Sequence, residues 1–330
     1  MKNKKIPVII DTVKNTIKKY GLLQKYETIL IGISGGPDSV CLLYILNSLK
    51  QDLKLKLHAV HIDHMLRKDS KKDLEYVQDL CNRLKIPLKS ARINVQSLAQ
   101  KGSLEEAARN VRLDFFFKTA KVIKADAVAL GHNLDDQAET VLMRILRGSG
   151  LAGLSGILPK RNILGFQVIR PLIEVKRREI ETFLKKRRIK AHIDSTNSED
   201  IYFRNRIRHK LLPLLEKEYN GNIKELLANM AESVALDYDY LAQATEKIAK
   251  NSKTRFSLNK LGSLHPALKR LIFRSAIAAL KGDTRRLTFQ HIREIEDLLL
   301  NRPSGSIVNL PRNVCARKKK NCLEFYLKIR

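Results

Sequence analysis

A run of small and polar residues, Ser34-Gly35-Gly36-Pro37-Asp38-Ser39, lies between two apolar segments. Adjacent glycines let successive backbone N–H groups turn toward an anion, and a following helix adds free N–H groups and its positive dipole end. Asp38 would repel a bare phosphate unless a Mg²⁺ ion lies between them. The run therefore predicts a phosphate site with Asp38 as a metal ligand, although a purely structural turn uses the same residue types. It lacks the Gly-Lys-Ser/Thr ending of a Walker A loop.

A second polar cluster follows the apolar residues 126–130 and extends from Gly131 to Thr140. If a helix begins near Leu134, Asp135 and Glu139 share one face of it, and Asp136 lies on the neighbouring face. Carboxylates at this spacing can hold Mg²⁺, bind a cationic substrate or act as a base. They can also simply cap the helix.

The elements that position both clusters alternate between strand and helix over the first half of the chain. This alternation predicts an α/β fold with an open, mostly parallel sheet, whose ligands bind beyond the carboxyl ends of the strands. A third polar strand end, with His61, Asp63 and His64, reaches the same edge. These residues could ligate zinc, but lining of a nucleotide pocket is the favoured interpretation.

The second half of the chain is basic and mainly helical. We expect a flexible active-site loop at 147–156 and a domain boundary near Asn220, giving a catalytic domain at 1–218 and a basic, mainly helical domain at 219–330. A long helix from Ile223, with its Met and Tyr residues in the core, would lead into the second domain. Two terminal strands around a basic loop at 317–320 would end it.

Composition indicates the class of partner. The 330 residues have a net charge of +29 and a pI near 10, which favours a polyanion. The absence of a long apolar run or a signal-like N-terminus favours nucleic acid over a membrane. The four cysteines form no Cys-x-x-Cys pair, which fits a reducing, cytoplasmic location.

The first run resembles the SGGxDS motif of the PP-loop ATP pyrophosphatases, which adenylate a carbonyl or carboxyl oxygen and then displace AMP with a nucleophile. With the segments 61–67, 131–140, 146–150, 170–172, 194–197 and 204–208, it looks like the tRNA(Ile)-lysidine synthase family over about residues 28–215. Met65 departs from the family pattern, which has glycine there. The chain also looks like a shorter form without a further C-terminal domain that some members have.

The resemblance implies an enzyme that uses ATP and Mg²⁺ to join free L-lysine to C2 of the wobble cytidine of an isoleucine tRNA with a CAU anticodon. An adenylated cytidine would be the intermediate, and lysidine, AMP and pyrophosphate the products. The oligomeric state is left open, a homodimer included. A PP-loop tRNA thiolase and a non-catalytic basic RNA-binding protein are the alternatives.

The resemblance also implies roles for residues in the matching motifs. Residues 34–39 would bind the pyrophosphate of ATP, and Asp38 would hold Mg²⁺. The catalytic candidates are Asp38, His132, Asp136 and Arg112, the lysine-binding candidates are Asp135, Asp136 and Glu139, and the tRNA-binding candidates are Arg204, Asn205 and Arg208.

Overall fold

A computed structural model describes residues 8–65, 70–95, 104–192, 203–250 and 252–328. The segment 194–197, which contributes to the family resemblance, lies outside these ranges. The chain divides into two units, Met1–Glu232 and Ser233–Arg330. In the described ranges, no helix is both long and apolar enough to cross a membrane.

The first unit is built on a six-stranded sheet. Its strands are β1 (Thr28–Gly32), β2 (Lys56–Asp63), β3 (Leu88–Arg92), β4 (Ala127–Ala129), β5 (Lys160–Ile163) and β6 (Phe166–Ile169). They lie in the order β3-β2-β1-β4-β6-β5, and every neighbouring pair is parallel except β5 with β6. The prediction of an open, mostly parallel sheet is confirmed.

Helices cover both faces of this sheet. The helices of the first unit are α1 (Val8–Tyr20), α2 (Pro37–Leu49), α3 (Ser70–Leu84), α4 (Leu104–Val122), α5 (Leu134–Leu146), α6 (Leu151–Leu154), α7 (Arg177–Lys186), α8 (Phe203–Arg206) and α9 (Leu212–Glu218), with a π-helical turn at Ile207–Leu211. A further helix, α10 (Ile223–Ala249), begins in the first unit and continues into the second. The alternation along β1 shows why both faces are covered: Ile29 and Ile31 join the core beside α2, and Leu30 joins the core beside Phe116 of α4.

The segments 147–156 and 223–249 differ in part from their predictions. The glycine-rich segment 147–156 contains the short helix α6, and the residue after the segment, Ile157, donates its backbone N–H to Gln137 Oε1 (2.6 Å). The flexibility of this segment stays a prediction. Helix α10 was expected to bury its Met and Tyr residues, but Met230 and Tyr240 are 36% and 74% exposed. Leu227 and Ala231 form its buried stripe on the first unit.

The second unit has a four-stranded antiparallel sheet in the order β7-β10-β9-β8. Its elements are β7 (Arg255–Ser257), α11 (Leu258–Gly262), α12 (Pro266–Lys281), α13 (Phe289–Leu300), β8 (Ile307–Asn309), β9 (Val314–Lys318) and β10 (Cys322–Leu327). The sequence predicted two strands here. The basic loop that it placed at 317–320 begins inside β9, where Arg317 and Lys318 are strand residues.

Candidate functional site

The loop between β1 and α2 has the geometry of an anion site. Ser39 Oγ accepts a hydrogen bond from the Ser34 backbone N–H (3.1 Å) and donates to the Gly36 carbonyl (3.0 Å), which closes the loop. Gly35 has a φ of +89°, a conformation that favours glycine. Helix α2 begins after Gly36 without a side-chain cap. The free backbone N–H groups at the start of α2, and the positive end of its dipole, therefore face the loop.

Gly131 brings the second polar cluster against this loop. Strands β1 and β4 are neighbours, so the residues after them meet at one edge of the sheet. A Cβ on Gly131 would lie 3.0 Å from the carbonyl carbon of Asp38 and 3.1 Å from the backbone nitrogen of Ser39. A side chain at this position would push the two backbones apart by a few tenths of an ångström, which glycine avoids.

Asn133 connects the two helices that start at this edge. It caps α5 through a reciprocal pair of hydrogen bonds with Asp136, at 3.0 and 3.1 Å. Its Nδ2 also donates to Asp38 Oδ1 (2.9 Å). Sequence reasoning assigned no role to Asn133, although an Asn three residues before an Asp at a helix start is the spacing of a capping box.

Asp38 and Asp135 are linked through Arg177. The Arg177 guanidinium donates to Asp38 Oδ2 (3.2 Å), and the Arg177 backbone N–H donates to Asp135 Oδ2 (2.8 Å). The other oxygen of Asp135 pairs with Lys224 Nζ (3.1 Å). Burial raises the pKa of Asp38 to about 6, although the Arg177 charge opposes this rise. Neither Arg177 nor Lys224 could be assigned from spacing alone.

Asp136 and Glu139 form a buried charge cluster with two arginines. Arg204 donates from Nε to Glu139 (2.7 Å) and from Nη2 to Asp136 (2.9 Å). Arg208 makes the corresponding contacts at 2.5 and 3.2 Å. The predicted lysine-binding and tRNA-binding candidates thus meet in one cluster, with a buried Asn205 beside it in sequence. Asp135, which lies one residue before Asp136, has different partners.

Arginines surround His132 at the same sheet edge. Its Nδ1 is buried and has no hydrogen-bond partner among the described residues. Burial, followed by the charges of Arg170 and Arg112, lowers the pKa of His132 well below its usual value, so the imidazole is neutral. Arg170 is 5% exposed and donates to the Leu158 carbonyl (2.6 Å). This concentration of positive charge suits an anionic ligand such as a phosphate.

The described residues offer no cluster of three or more protein ligands for a metal ion. Asp63 is paired with Arg92 (2.8 Å), and His61 Nδ1 bonds to the Ile33 carbonyl (2.9 Å), so the zinc alternative gains no support. Mg²⁺ needs few protein ligands when phosphates and water supply the rest. Asp38, beside the free start of α2, fits an ion held in that way.

The cysteines do not form a sulfur-transfer site. Cys41 and Cys81 belong to the core of the first unit, and Cys315 and Cys322 are strand residues of the second. All four are buried, and none forms a disulfide. Burial raises the pKa of Cys41, which makes its thiol a poor nucleophile.

Comparison with known proteins shows the family to which the chain belongs. A family model described as a PP-loop domain matches residues 7–215. The tRNA(Ile)-lysidine synthase of Clostridioides difficile is 39% identical over 326 residues, covering 96% of this chain and 70% of that protein. The chain belongs to the tRNA(Ile)-lysidine synthase family. It is therefore an enzyme with an ATP-binding PP-loop domain, as the sequence motifs predicted.

Further matches agree with membership of the tRNA(Ile)-lysidine synthase family. A model described as the TilS substrate binding domain matches residues 256–323, in the second unit. The lysidine synthase of Caldanaerobacter subterraneus is 40% identical over 324 residues, covering 96% of this chain and 68% of that one. The U34-tRNA thiolase NcsA of Methanococcus maripaludis, a solved structure, aligns with a TM-score of 0.60 over 69% of this chain and 78% of that one. At 20% identity it supports the fold alone.

Proposed function

We propose that the chain uses ATP to join free lysine to C2 of the wobble cytidine of an isoleucine tRNA with a CAU anticodon. ATP adenylates the C2 oxygen with loss of pyrophosphate, and the ε-amino group of lysine then attacks C2 and releases AMP. Adenylation replaces a poor leaving oxygen with a good one, which leaves positioning and charge stabilisation to the protein. The main support is the meeting of the loop 34–39 with the cluster 131–140 at one sheet edge.

The phosphates of ATP would lie at the start of α2, where the backbone of residues 34–39 faces them. Asp38 would hold Mg²⁺, which when bound offsets the repulsion between its carboxylate and the phosphates. Asn133 and Arg177 would keep Asp38 in position, because each already donates a hydrogen bond to it. Arg112 would neutralise charge on the adenylate.

Lysine would bind at the carboxylates of α5. Free lysine has both an α-carboxylate and ammonium groups, so a site with both signs of charge suits it better than an acidic site. The cluster of Asp136 and Glu139 with Arg204 and Arg208 has this mixed character. Asp135 already accepts a lysine ammonium, that of Lys224, and would be a second contact for the substrate.

The attacking amine must lose a proton before it becomes nucleophilic, and His132 would receive it. Its ring is neutral and its Nδ1 has no partner among the described residues. Burial and then the surrounding arginines lower its pKa, so it is a weak base when the site holds no anion. Negative charge from the bound adenylate would offset these arginines and raise the pKa of His132 toward the range of a useful base.

The tRNA would contact Arg204, Asn205 and Arg208 next to the lysine site. The two arginine side chains keep 30% and 23% of their surface exposed, which is compatible with a phosphate contact in addition to their ion pairs. The cytidine would be unstacked from the anticodon loop to reach the adenylation site.

The test is incubation of the chain with ATP, Mg²⁺, radiolabelled lysine and candidate tRNAs, followed by measurement of label in RNA. We expect label only in the isoleucine tRNA with a CAU anticodon. Asp38→Ala should abolish labelling and leave tRNA binding near normal, whereas Asp79→Ala, which removes an exposed carboxylate on α3, should change neither. RNA binding without lysine-dependent AMP release would contradict the proposal, and so would normal labelling by Asp38→Ala.

A further inference from the structure

The sheet of the second unit has two different faces. One face contributes Val308, Val314, Ala316, Leu323 and Phe325 to the core formed with α12 and α13. Side chains alternate along a strand, so the residues between these point to the opposite face. We call that opposite side the outer sheet face, defined by Ile307, Asn309, Arg317, Glu324, Tyr326 and Lys328.

The strand register places charged and aromatic residues of the outer sheet face in two cross-strand rows. Arg317 is paired with Ile307 on one side and with Glu324 on the other, and Glu324 is paired with Arg255. The next row contains Tyr326, paired with Cys315. Residues paired across antiparallel strands lie side by side, so each row forms a continuous strip.

A groove of about 330 Å³ lies on this face, lined by Ile307, Asn309, Cys315, Arg317, Tyr326, Leu327 and Lys328. The side chain of Arg317 lies along this groove and is held there by two contacts with Tyr326. Its guanidinium lies 4.9 Å from the centre of the Tyr326 ring, and its Nη2 donates to the Tyr326 hydroxyl (3.0 Å). Ile307 is 40% exposed at the edge of the groove. An aromatic ring and a held guanidinium are the groups on which unpaired bases stack.

Positive charge dominates around the groove. Arg255, Arg317, Lys319 and Lys328 lie on or beside the outer sheet face, against one carboxylate, Glu324. Glu324 pairs with Lys319 (2.7 Å), and that hydrogen bond, with the nearby arginines, lowers its pKa. The carboxylate stays ionised, and a net positive surface remains. Phosphate groups complement such a surface, whereas a second copy of this basic chain would be repelled.

We propose that the outer sheet face binds the tRNA substrate, with an unpaired base against Tyr326 and phosphates at Arg317 and Lys328. This rests on the function proposed above and names a surface through which the second unit holds that substrate. The match of residues 256–323 to a substrate binding domain supports a role in substrate recognition but selects no face. The two cross-strand rows and the groove are what point to the outer sheet face.

The test measures tRNA affinity of the full chain at several salt concentrations. Tyr326→Leu should weaken binding by about tenfold and leave the salt dependence unchanged, because stacking is lost but no charge is. Tyr326→Phe keeps the ring and should bind as the unaltered chain does. Arg317→Gln should weaken binding and lower the slope of log affinity against log salt by about 1.

Arg293→Gln is the matched control, because it removes one exposed cation from α13, the helix that packs on the other side of the same sheet. It should leave affinity near that of the unaltered chain. A loss equal to that of Arg317→Gln would show that only net charge matters and would overturn the proposal. Unchanged tRNA affinity in Tyr326→Leu and Arg317→Gln would overturn it too. If these variants instead changed the sedimentation of the free chain, the face would be a contact between copies.

Lysine incorporation by the unaltered chain separates this proposal from the one on which it rests. If the chain incorporates no lysine, the proposed function fails. If it incorporates lysine and the Tyr326 and Arg317 variants retain its affinity for tRNA, only the surface proposal fails. Thermal unfolding of each variant, followed by circular dichroism, should match that of the unaltered chain, because these side chains lie outside the core of the unit.

Discussion

Glu139 is the most buried member of the charge cluster, and removing its charge tests whether the cluster holds the first unit together. Its side chain is 2% exposed and accepts hydrogen bonds from Arg204 and Arg208 at 2.7 and 2.5 Å. Glu139→Gln would remove the carboxylate that both guanidiniums contact most closely and leave them the carboxylate of Asp136. Breaking a buried ion pair on one side costs about 3–5 kcal/mol. Since the arginines remain 30% and 23% exposed, we expect the lower end of that range.

A loss of about 3 kcal/mol should lower the melting temperature of the first unit by roughly 6–12 °C. The assay is thermal and urea unfolding by circular dichroism, because the chain has no tryptophan to report by fluorescence. Glu181→Gln is the control: its carboxylate is 60% exposed and pairs with Arg177 at 3.3 Å, so less than about 0.5 kcal/mol should be lost. A loss below about 1 kcal/mol in Glu139→Gln, with only the KM for lysine changed, would refute the structural role.

Two further changes test local features of the first unit. Met65 is 44% exposed and has a φ of +54°, a backbone conformation that is strained for a residue with a Cβ. Met65→Gly should therefore raise the free energy of unfolding in urea by about 0.5–1 kcal/mol, whereas Met65→Ala, which keeps a Cβ, should not. Equal effects of the two substitutions would contradict the role of backbone strain. Burial opposes ionisation of Glu174, but hydrogen bonds from Lys19 and Thr16 outweigh it and lower its pKa. The resulting stability is present above the unfolded pKa of about 4.3 and is lost as pH falls through the folded value. Glu174→Gln should therefore unfold with a weaker acid dependence below about pH 5; an unchanged pH profile would exclude Glu174 as the cause.

The features that sequence analysis predicted are those encoded within a few residues. A strand, a glycine turn and a helix follow one another at 28–49, and the positions of the glycines already indicate an anion site. Met65 shows the same locality: the resemblance led us to expect glycine there, and the residue has the left-handed backbone that glycine adopts most readily.

The features that sequence analysis missed depend on distant residues or on edge strands. Arg204 reaches Glu139 across 65 residues, and spacing along the chain contains no record of that contact. Strand β5 has three exposed polar residues out of four and shows no buried periodicity. Arg317 and Lys318 were predicted to lie in a basic loop, but both are strand residues. Arg317 lies on the outer sheet face, and Lys318 donates hydrogen bonds to the carbonyl groups of Leu299 and Arg302, so neither charge needs a loop.

The position of β1 in the middle of its sheet has a consequence for how the chain folds during synthesis. One neighbour, β2, follows closely, but the other is distant: the backbone N–H of Thr28 bonds to Asp126, 98 residues later. At roughly 5–20 residues per second, a ribosome needs about 5–20 s to make that interval. During this time the apolar edge of β1 has no partner. A nascent chain that stalls before β4 therefore exposes an apolar strand with one unpaired edge, which is prone to aggregate. We expect such chains to depend on chaperones more than completed chains do.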